Sequence, residues 1–447
     1  MLLAIDYSYL LAIKTRNLEM GKNENQSKDQ YCSIDINKLE EILEPKADCC
    51  IYRVPQYLRK VNEEAYTPKL ISIGPLHYHC REELMGMETQ KRRYRVKFGE
   101  RVGISKFREL EKYISDQEQH IRDHYAVSST LECSEYITMI LNDAVFIIEL
   151  FMRNNHRVDD FLLDKSQLKT HIMLDLLLLE NQIPFFVLND LYLSAFPSRS
   201  DEYPSFFTLC KNFFSCMGMF NWTFSEEPQV KHFTDFLRHA VVVQVQPTAQ
   251  PPNGETPDLP NATKLNESGL QFKGIKGKGK YLLDINLDKR KSRIPLIWFD
   301  ETELEIPFIE IYDDTECLFR NLMALEVFHY PTQTYVCNYA DLMGYLIDTA
   351  KDVDLLVEKK IIGNFVGDSE AIAKMFNTIC SRITPSPSCY NTIATDMTEH
   401  YNNRWNHLKA TLRSVYFTNL WTGTATVAAV VLLILTVIQT VCSIMQV

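Results

Sequence analysis

Ala144–Met152, AVFIIELFM, and Asp175–Val187, DLLLLENQIPFFV, are the two stretches that decide the fold. The first, and Leu174–Leu179 leading through the second, are long apolar runs, the pattern of an element buried on all sides rather than on one. Glu180, Asn181 and Pro184 close the second run as a helix stop. Both therefore read as core helices. Outward from them, Asp48 to about Val245 is chiefly helical in pattern, so the expected class is mainly α: a large helical soluble domain, a small antiparallel β insertion and one C-terminal transmembrane helix.

The insertion follows a change of composition. Gln246–Asn261 carries Pro247, Pro251, Pro252, Pro257 and Pro260 with Gly254, which resists both helix and central strand. Gly269–Ile311 then alternates apolar with polar residues between Gly and Pro breaks, the period of a small meander or hairpin pair. Helix returns after Asp314, with Leu342, Tyr345, Leu346, Val353, Leu356 and Val357 on one side and Gly363 suited to its end. The expected organisation is an N-terminal extension, partly disordered, over 1–47; helical parts over 48–245 and 316–420; a Pro-rich loop over 246–262; a β-rich segment over 263–315; and an anchor over 421–447. Met1–Ile13 is apolar, but Asp6 interrupts it, no basic region precedes it and no small-residue cleavage site follows, so it reads as a short helix or tail.

After Arg413 no acidic or basic side chain occurs, and Gly423–Met445, GTATVAAVVLLILTVIQTVCSIM, is dense in Val, Leu, Ile and Ala. A hydrocarbon core of about 30 Å needs roughly 20 helical residues, which this stretch supplies. Trp421, Val430, Leu433, Ile434, Val437 and Ile438 are the expected membrane-anchoring residues, and Arg404, Lys409 and Arg413 the charges of the cytosolic flank. This places the soluble domain in the cytosol, on the plasma membrane by span length or alternatively on the endoplasmic reticulum. The sequons at Asn221, Asn261 and Asn266 are then expected to be unused. Thr398–Phe417 puts Trp405, Leu408, Leu412 and Val415 on one face, either an interfacial helix continuing into the span or a helix packed on its own domain.

The 447 residues include 47 Lys and Arg against 58 Asp and Glu, a net charge of −11 that argues against nucleic acid as a partner. Twelve cysteines without a C-x-x-C read as reduced, mostly buried thiols. His77, His79 and Cys80 in LHYHC form the best candidate metal cluster, since alternate positions on an extended strand point two imidazoles the same way. No partner ligand is identifiable. His120 and His124 share a helical face but lack the zinc-protease glutamate. Gly274, Gly277 and Gly279 fit no phosphate-loop spacing, Ser166-Gln-Leu-Lys169 lacks companion motifs, and Asp313, Asp314 and Glu316 read as a helix start. No catalytic residue, cofactor or metal ligand is assigned, and the chain is not expected to be an enzyme.

Several words together resemble the plant-specific UPF0481, or domain-of-unknown-function 247, family: Ile51-Tyr-Arg-Val-Pro55, Ala65-Tyr-Thr-Pro68, Ile71-Ser-Ile-Gly-Pro75, Phe146-Ile-Ile-Glu-Leu-Phe151, DLLLLENQIPFFV, Ala262-Thr-Lys-Leu265 and Arg404-Trp405 before the terminal span. One departure is Asn142-Asp143-Ala144, where the family usually shows Asp-Gly-Cys. The resemblance implies a plant protein with a C-terminal anchor and no established enzymatic activity; in grasses, some members are implicated as pollen-side determinants of self-incompatibility. The expected function is a membrane-anchored recognition or signalling protein that acts through an unidentified protein partner, with homo- or hetero-oligomers open. The alternative is a membrane-bound metal-dependent hydrolase using His77 and His79.

Overall fold

The structure is a computed structural model that describes residues 45–198, 200, 203–218, 220, 222–242, 259–276, 281–290, 301–383, 388–416 and 420–445. Residues 1–44 of the N-terminal extension, most of the Pro-rich loop, and Gly277 and Gly279 lie outside the described residues. In chain order the helices are α1 (Gln56–Arg59), α2 (Met85–Val102), α3 (Ile104–Asp116), α4 (Glu118–Asp123), α5 (Cys133–His156), α6 (Ser166–Leu176), α7 (Phe185–Ala195), α8 (Phe206–Phe214) and α9 (Phe233–Val242). After α10 (Ala262–Glu267) come β1 (Gln271–Ile275), β2 (Asn286–Arg290), β3 (Glu301–Pro307) and β4 (Ile309–Ile311). Then follow α11 (Thr315–His329), α12 (Tyr335–Leu346), α13 (Ala350–Glu358), β5 (Ile362–Asn364), α14 (Ser369–Ile379), α15 (Asn391–Asn402), α16 (Arg404–Tyr416) and α17 (Leu420–Met445).

The chain is mainly α, and AVFIIELFM is its centre. It forms the second half of α5, whose residues from Ala144 to Met152 are all buried, and α2, α3, α4, α7 and α8 pack around that helix. Phe151 stacks on Phe213 at 4.4 Å between ring centres and also meets Phe206, Phe214 and Phe233. One apolar core runs from Cys50 to Met397. The helices before and after the insertion therefore share it.

The insertion contains strands, as the alternation predicts, but their pairing is mixed rather than antiparallel. β3 lies in the middle, antiparallel to β2 and parallel to β1. β4 pairs in parallel with β5, with three helices between them in sequence. Alternation fixes which side chains share a face; strand direction depends on the connection, and long crossovers give parallel pairs.

Four helix limits also differ from the sequence reading. The Leu-rich run of DLLLLENQIPFFV is no core helix to its polar stop: α6 ends at Leu176, where Gln182 takes the Leu176 carbonyl, and Leu177–Leu179 is buried turn. The expected helix through Leu342 and Val357 is two helices, because the Asp352 carboxylate takes the Thr349 N–H at 2.9 Å and caps a new start. Its end is closed at Lys360 (φ +59°), with Ile361 N–H bonding Leu356 O at 2.8 Å, a Schellman closure without glycine. Gly363 instead lies in β5, where a Cβ would come within 2.7 Å of the Phe308 ring. Thr398–Phe417 is likewise no single helix. Asn403 ends α15, and its side chain accepts the Trp405 N–H at 3.0 Å to start α16.

Candidate functional site

The polar residues of DLLLLENQIPFFV are buried and occupied with backbone. Asp175 accepts the N–H groups of Lys69, Leu70 and Ile71 at 3.0, 2.7 and 2.8 Å. Asn181 accepts Ile73 N–H at 2.7 Å and donates to the Ile71 and Asp175 carbonyls. Gln182 donates to the Leu176 and Leu178 carbonyls and accepts Phe233 N–H at 2.9 Å. Residues 69–73 belong to no sheet ladder, so these side chains stand in for one; each buried group left unpaired would cost about 1–3 kcal/mol. The word is framework.

Asp143 does the same for the Ile-Ser-Ile-Gly-Pro word. It is fully buried, accepts Gly74 N–H at 2.9 Å, and is paired with Arg81 at 2.5 Å and Lys91 at 2.8 Å. Burial alone would raise its carboxyl, but Arg81 and Lys91 hold it below the usual aspartate range. Gly74 has φ +71°, and a Cβ there would come within 2.3 Å of the Gln182 carbonyl oxygen, so the turn requires glycine.

Beside this framework lies the His77 corner. His77 precedes a 3-10 turn, Tyr78–Arg81, rather than sitting on the expected extended strand. Ser72 and the Cys80 N–H both bond the His77 carbonyl and wind the turn. His77 is buried, His79 exposed and Cys80 half-buried, yet one ligand atom from each lies within 4.8 Å of the others. On its other side, His77 Nε2 is 3.4 Å from Glu180 Oε2. That geometry suits an ion-pair distance but is poorly aligned for a hydrogen bond. Glu180 also takes Val54 N–H at 2.8 Å and Arg59 at 2.6 Å. Burial would raise Glu180; His77 and Arg59 together hold it below the usual glutamate range.

A second feature escaped the sequence reading. A cleft of about 620 Å³ opens where α6, α11, β4 and the segment around Glu64 meet. Glu64, Asp175, Glu310, Asp313, Asp314 and Glu316 line it, against Lys69 and His171. Burial, with Asp313 alongside, raises the Asp314 carboxyl, and burial pushes the Cys317 thiol up to about 12. The acidic trio of Asp313, Asp314 and Glu316 thus starts α11, as the sequence suggests, but also faces a cavity that collects carboxylates from distant segments.

The other singled-out residues stay apart. His120 and His124 pack edge to face at 4.8 Å and lean on Phe186. Lys169 donates to Asn154 at 2.8 Å, and Ser166 only opens α6. Gly274 is required because a Cβ would overlap the Lys360 carbonyl, at 1.8 Å from its oxygen. Asn261 caps α10 by accepting Lys264 N–H, and Asn266 lies within that helix; Asn221 is outside the described residues.

In α17, Val430, Leu433, Ile434, Val437 and Ile438 are 53, 67, 52, 54 and 52% exposed. The helix is long and apolar enough to cross a membrane, and no part of Ala428–Met445 is buried. Arg404 is exposed and Lys409 partly so, while the side chains of Arg413 and Trp421 lie outside the described set. Helix α16 sets Ala410 close to Gly269, where an added Cβ would meet it at 3.3 Å, yet leaves Trp405 69% and Leu408 49% exposed. It packs on its domain with one side only.

The framework ties the family words together, since the Glu180 side chain binds the YRVP segment and those of Asn181 and Asp143 bind the ISIGP segment. Comparison with known proteins agrees. The family described as plant protein of unknown function, DUF247, matches residues 51–435. A UPF0481 protein of Arabidopsis thaliana is 29% identical over 431 residues, spanning 90% of this chain and 87% of the relative. A putative UPF0481 protein of the same plant is 22% identical over 514 residues, covering 93% of each. No solved structure matches. With its described framework built from those words and the family match running from Ile51 into the terminal helix, the chain belongs to the plant DUF247, or UPF0481, family.

Proposed function

We propose that this chain is a membrane-anchored recognition protein: α17 spans a bilayer, and the cleft between α6 and α11 takes a basic segment of a partner protein. The observation that carries the reading is the cleft: Asp175 is taken up by backbone N–H groups and Glu316 by Arg320, and Glu64, Glu310, Asp313 and Asp314 still outnumber one lysine and one histidine. Such a concave, predominantly acidic surface concentrates field and favours a cationic occupant over an anionic one. The charge-free α17 supports the anchor, because an apolar helix left unburied over Ala428–Met445 is best satisfied by lipid. Arg404, Lys409 and Arg413 orient the domain to the cytosol.

Proximity labelling in plant cells tests this. The full-length chain should recover a reproducible partner absent from a control carrying residues 404–447 alone. Glu310→Lys combined with Asp313→Lys should lose that partner while leaving the membrane fraction unchanged. Enrichment no greater than the control, or a partner that tolerates both substitutions, sinks the cleft reading. Topology is tested separately: a mobility shift on endoglycosidase treatment, abolished by Asn261→Gln, would put the domain on the non-cytosolic face. A role in pollen self-incompatibility is one form of this recognition, supported by the resemblance alone; loss of pollen rejection on deleting the gene would be its test.

A further inference from the structure

The His77 corner brings three side chains of metal-ligating type within reach of one another. In a 3-10 turn, side chains three apart eclipse, and His77 and Cys80 stand at that spacing: Cys80 Sγ is 4.0 Å from His77 Nδ1. Two ligands of one tetrahedral ion, bound at roughly 2.1 and 2.3 Å, lie about 3.5 Å apart. The pair therefore needs to close by only about 0.5 Å. His79 completes a set within 4.8 Å, and being exposed, its ring is free to swing inward.

The second observation concerns the far side of the ring. His77 is 4% exposed, and its Nε2, without a well-aligned hydrogen bond, lies 3.4 Å from Glu180 Oε2. A proton on Nε2 faces the carboxylate and leaves the Nδ1 lone pair directed toward Cys80. A metal-ligating histidine commonly has this arrangement, its second nitrogen donating to a carboxylate that fixes tautomer and orientation. Glu180 is itself held by Arg59 and Val54 N–H, so the ring's support is rigid.

We propose that His77, His79 and Cys80 bind a divalent ion of the zinc class, with Glu180 positioning His77. Thiolate and imidazole donors select such ions over magnesium or calcium. Three protein ligands leave one coordination position open toward solvent on the His79 side. On binding, Cys80 gives its thiol proton to solvent. The site stands independently of the cleft and of any partner.

Cobalt(II) titration of the full-length chain in detergent, purified without a histidine tag, tests it. One cobalt per chain should bind, give a thiolate charge-transfer band in the near ultraviolet, and be displaced by zinc(II). Cys80→Ser should abolish the band, whereas Cys133→Ser should leave it intact. His79→Ala, at an exposed position that does not threaten folding, should weaken binding about 10-fold or more. Glu180→Gln should weaken it about 10- to 100-fold with the band retained, the signature of a positioning residue. A band that survives Cys80→Ser, an affinity indifferent to His79→Ala, or the lack of stoichiometric cobalt would overturn the proposal.

Discussion

Helices α5 and α17 are alike in length, at 24 and 26 residues, each holds a long apolar run, and they are opposite in surroundings. Helix α5 is wrapped by protein and carries two fully buried carboxylates, Asp143 and Glu149. Asp143 is met by Arg81 and Lys91, and Glu149 by Arg101 at 3.1 Å and Arg153 at 2.9 Å. Helix α17 carries no charge and buries nothing over Ala428–Met445. A protein interior can supply an arginine to a carboxylate; hydrocarbon cannot. Charges along an apolar helix therefore report what surrounds it, which apolarity alone does not.

The comparison is most strongly tested at Asp143. Asp143→Ala leaves two buried cations, Arg81 and Lys91, sharing Glu88 alone, and orphans the Gly74 N–H; it should cost about 3 kcal/mol, read as a lower urea midpoint for the soluble domain. A loss below about 1 kcal/mol would mean that α5 tolerates unpaired charge and the contrast fails. The converse substitution, Leu433→Arg, places an unmatched charge in α17. It should cost about 2.5–3.5 kcal/mol of insertion, seen as a reduced carbonate-resistant membrane fraction with the domain's urea midpoint unchanged.

Acid should separate the two regions again. His232 is fully buried, with Nε2 bonded to the Cys50 carbonyl at 3.1 Å and Nδ1 accepting Asp235 N–H at 3.3 Å, which fixes the neutral ring. Burial lowers it from 6.5 to about 4. Because the folded value is depressed, its contribution is fully present above 6.5 and is lost as pH falls toward 4, since the unfolded chain takes the proton first. At pH 5 the expected loss is about 2 kcal/mol. Asp143 and Glu180, also depressed, withdraw their contributions at still lower pH. Membrane retention through α17, which has no titrating carboxylate, amine or imidazole, should not follow. The smallest effect belongs to Trp405→Ala, which at 69% exposure should change the domain's stability by less than about 0.5 kcal/mol. A larger loss would show that α16 has a protein neighbour on that face.

Much of this was legible in the chain. Apolar continuity marked α5 and the charge-free tail marked α17; it also marked Leu177–Leu179 as buried, but as helix, whereas that segment is turn held by the side chains of Asn181 and Gln182. The strands of the insertion were legible as a period of two, but not their directions. Glycine misled at Gly363, because the helix before it found a Schellman closure on Lys360 and the strand needed the missing Cβ. LHYHC was readable as a possible ligand cluster, although the spacing suggested a strand where Ser72 and Cys80 wind a turn. The cleft was not readable at all: Glu64, Asp175 and Glu310 have no mutual spacing in sequence.

What the sequence alone determined was what each segment must exclude. AVFIIELFM had to leave water, and Gly423–Met445 had no charge to keep it there, because the apolar area of a segment is a property of its own residues. What only the tertiary structure decided was every relation between polar groups. Asp175, Glu180 and Asn181 became a framework for segments more than 100 residues earlier, and His77 acquired both a thiol and a carboxylate. Hydrogen bonds and ion pairs act over a few ångströms, so their partners are chosen by how the chain returns on itself rather than by the order in which it is written.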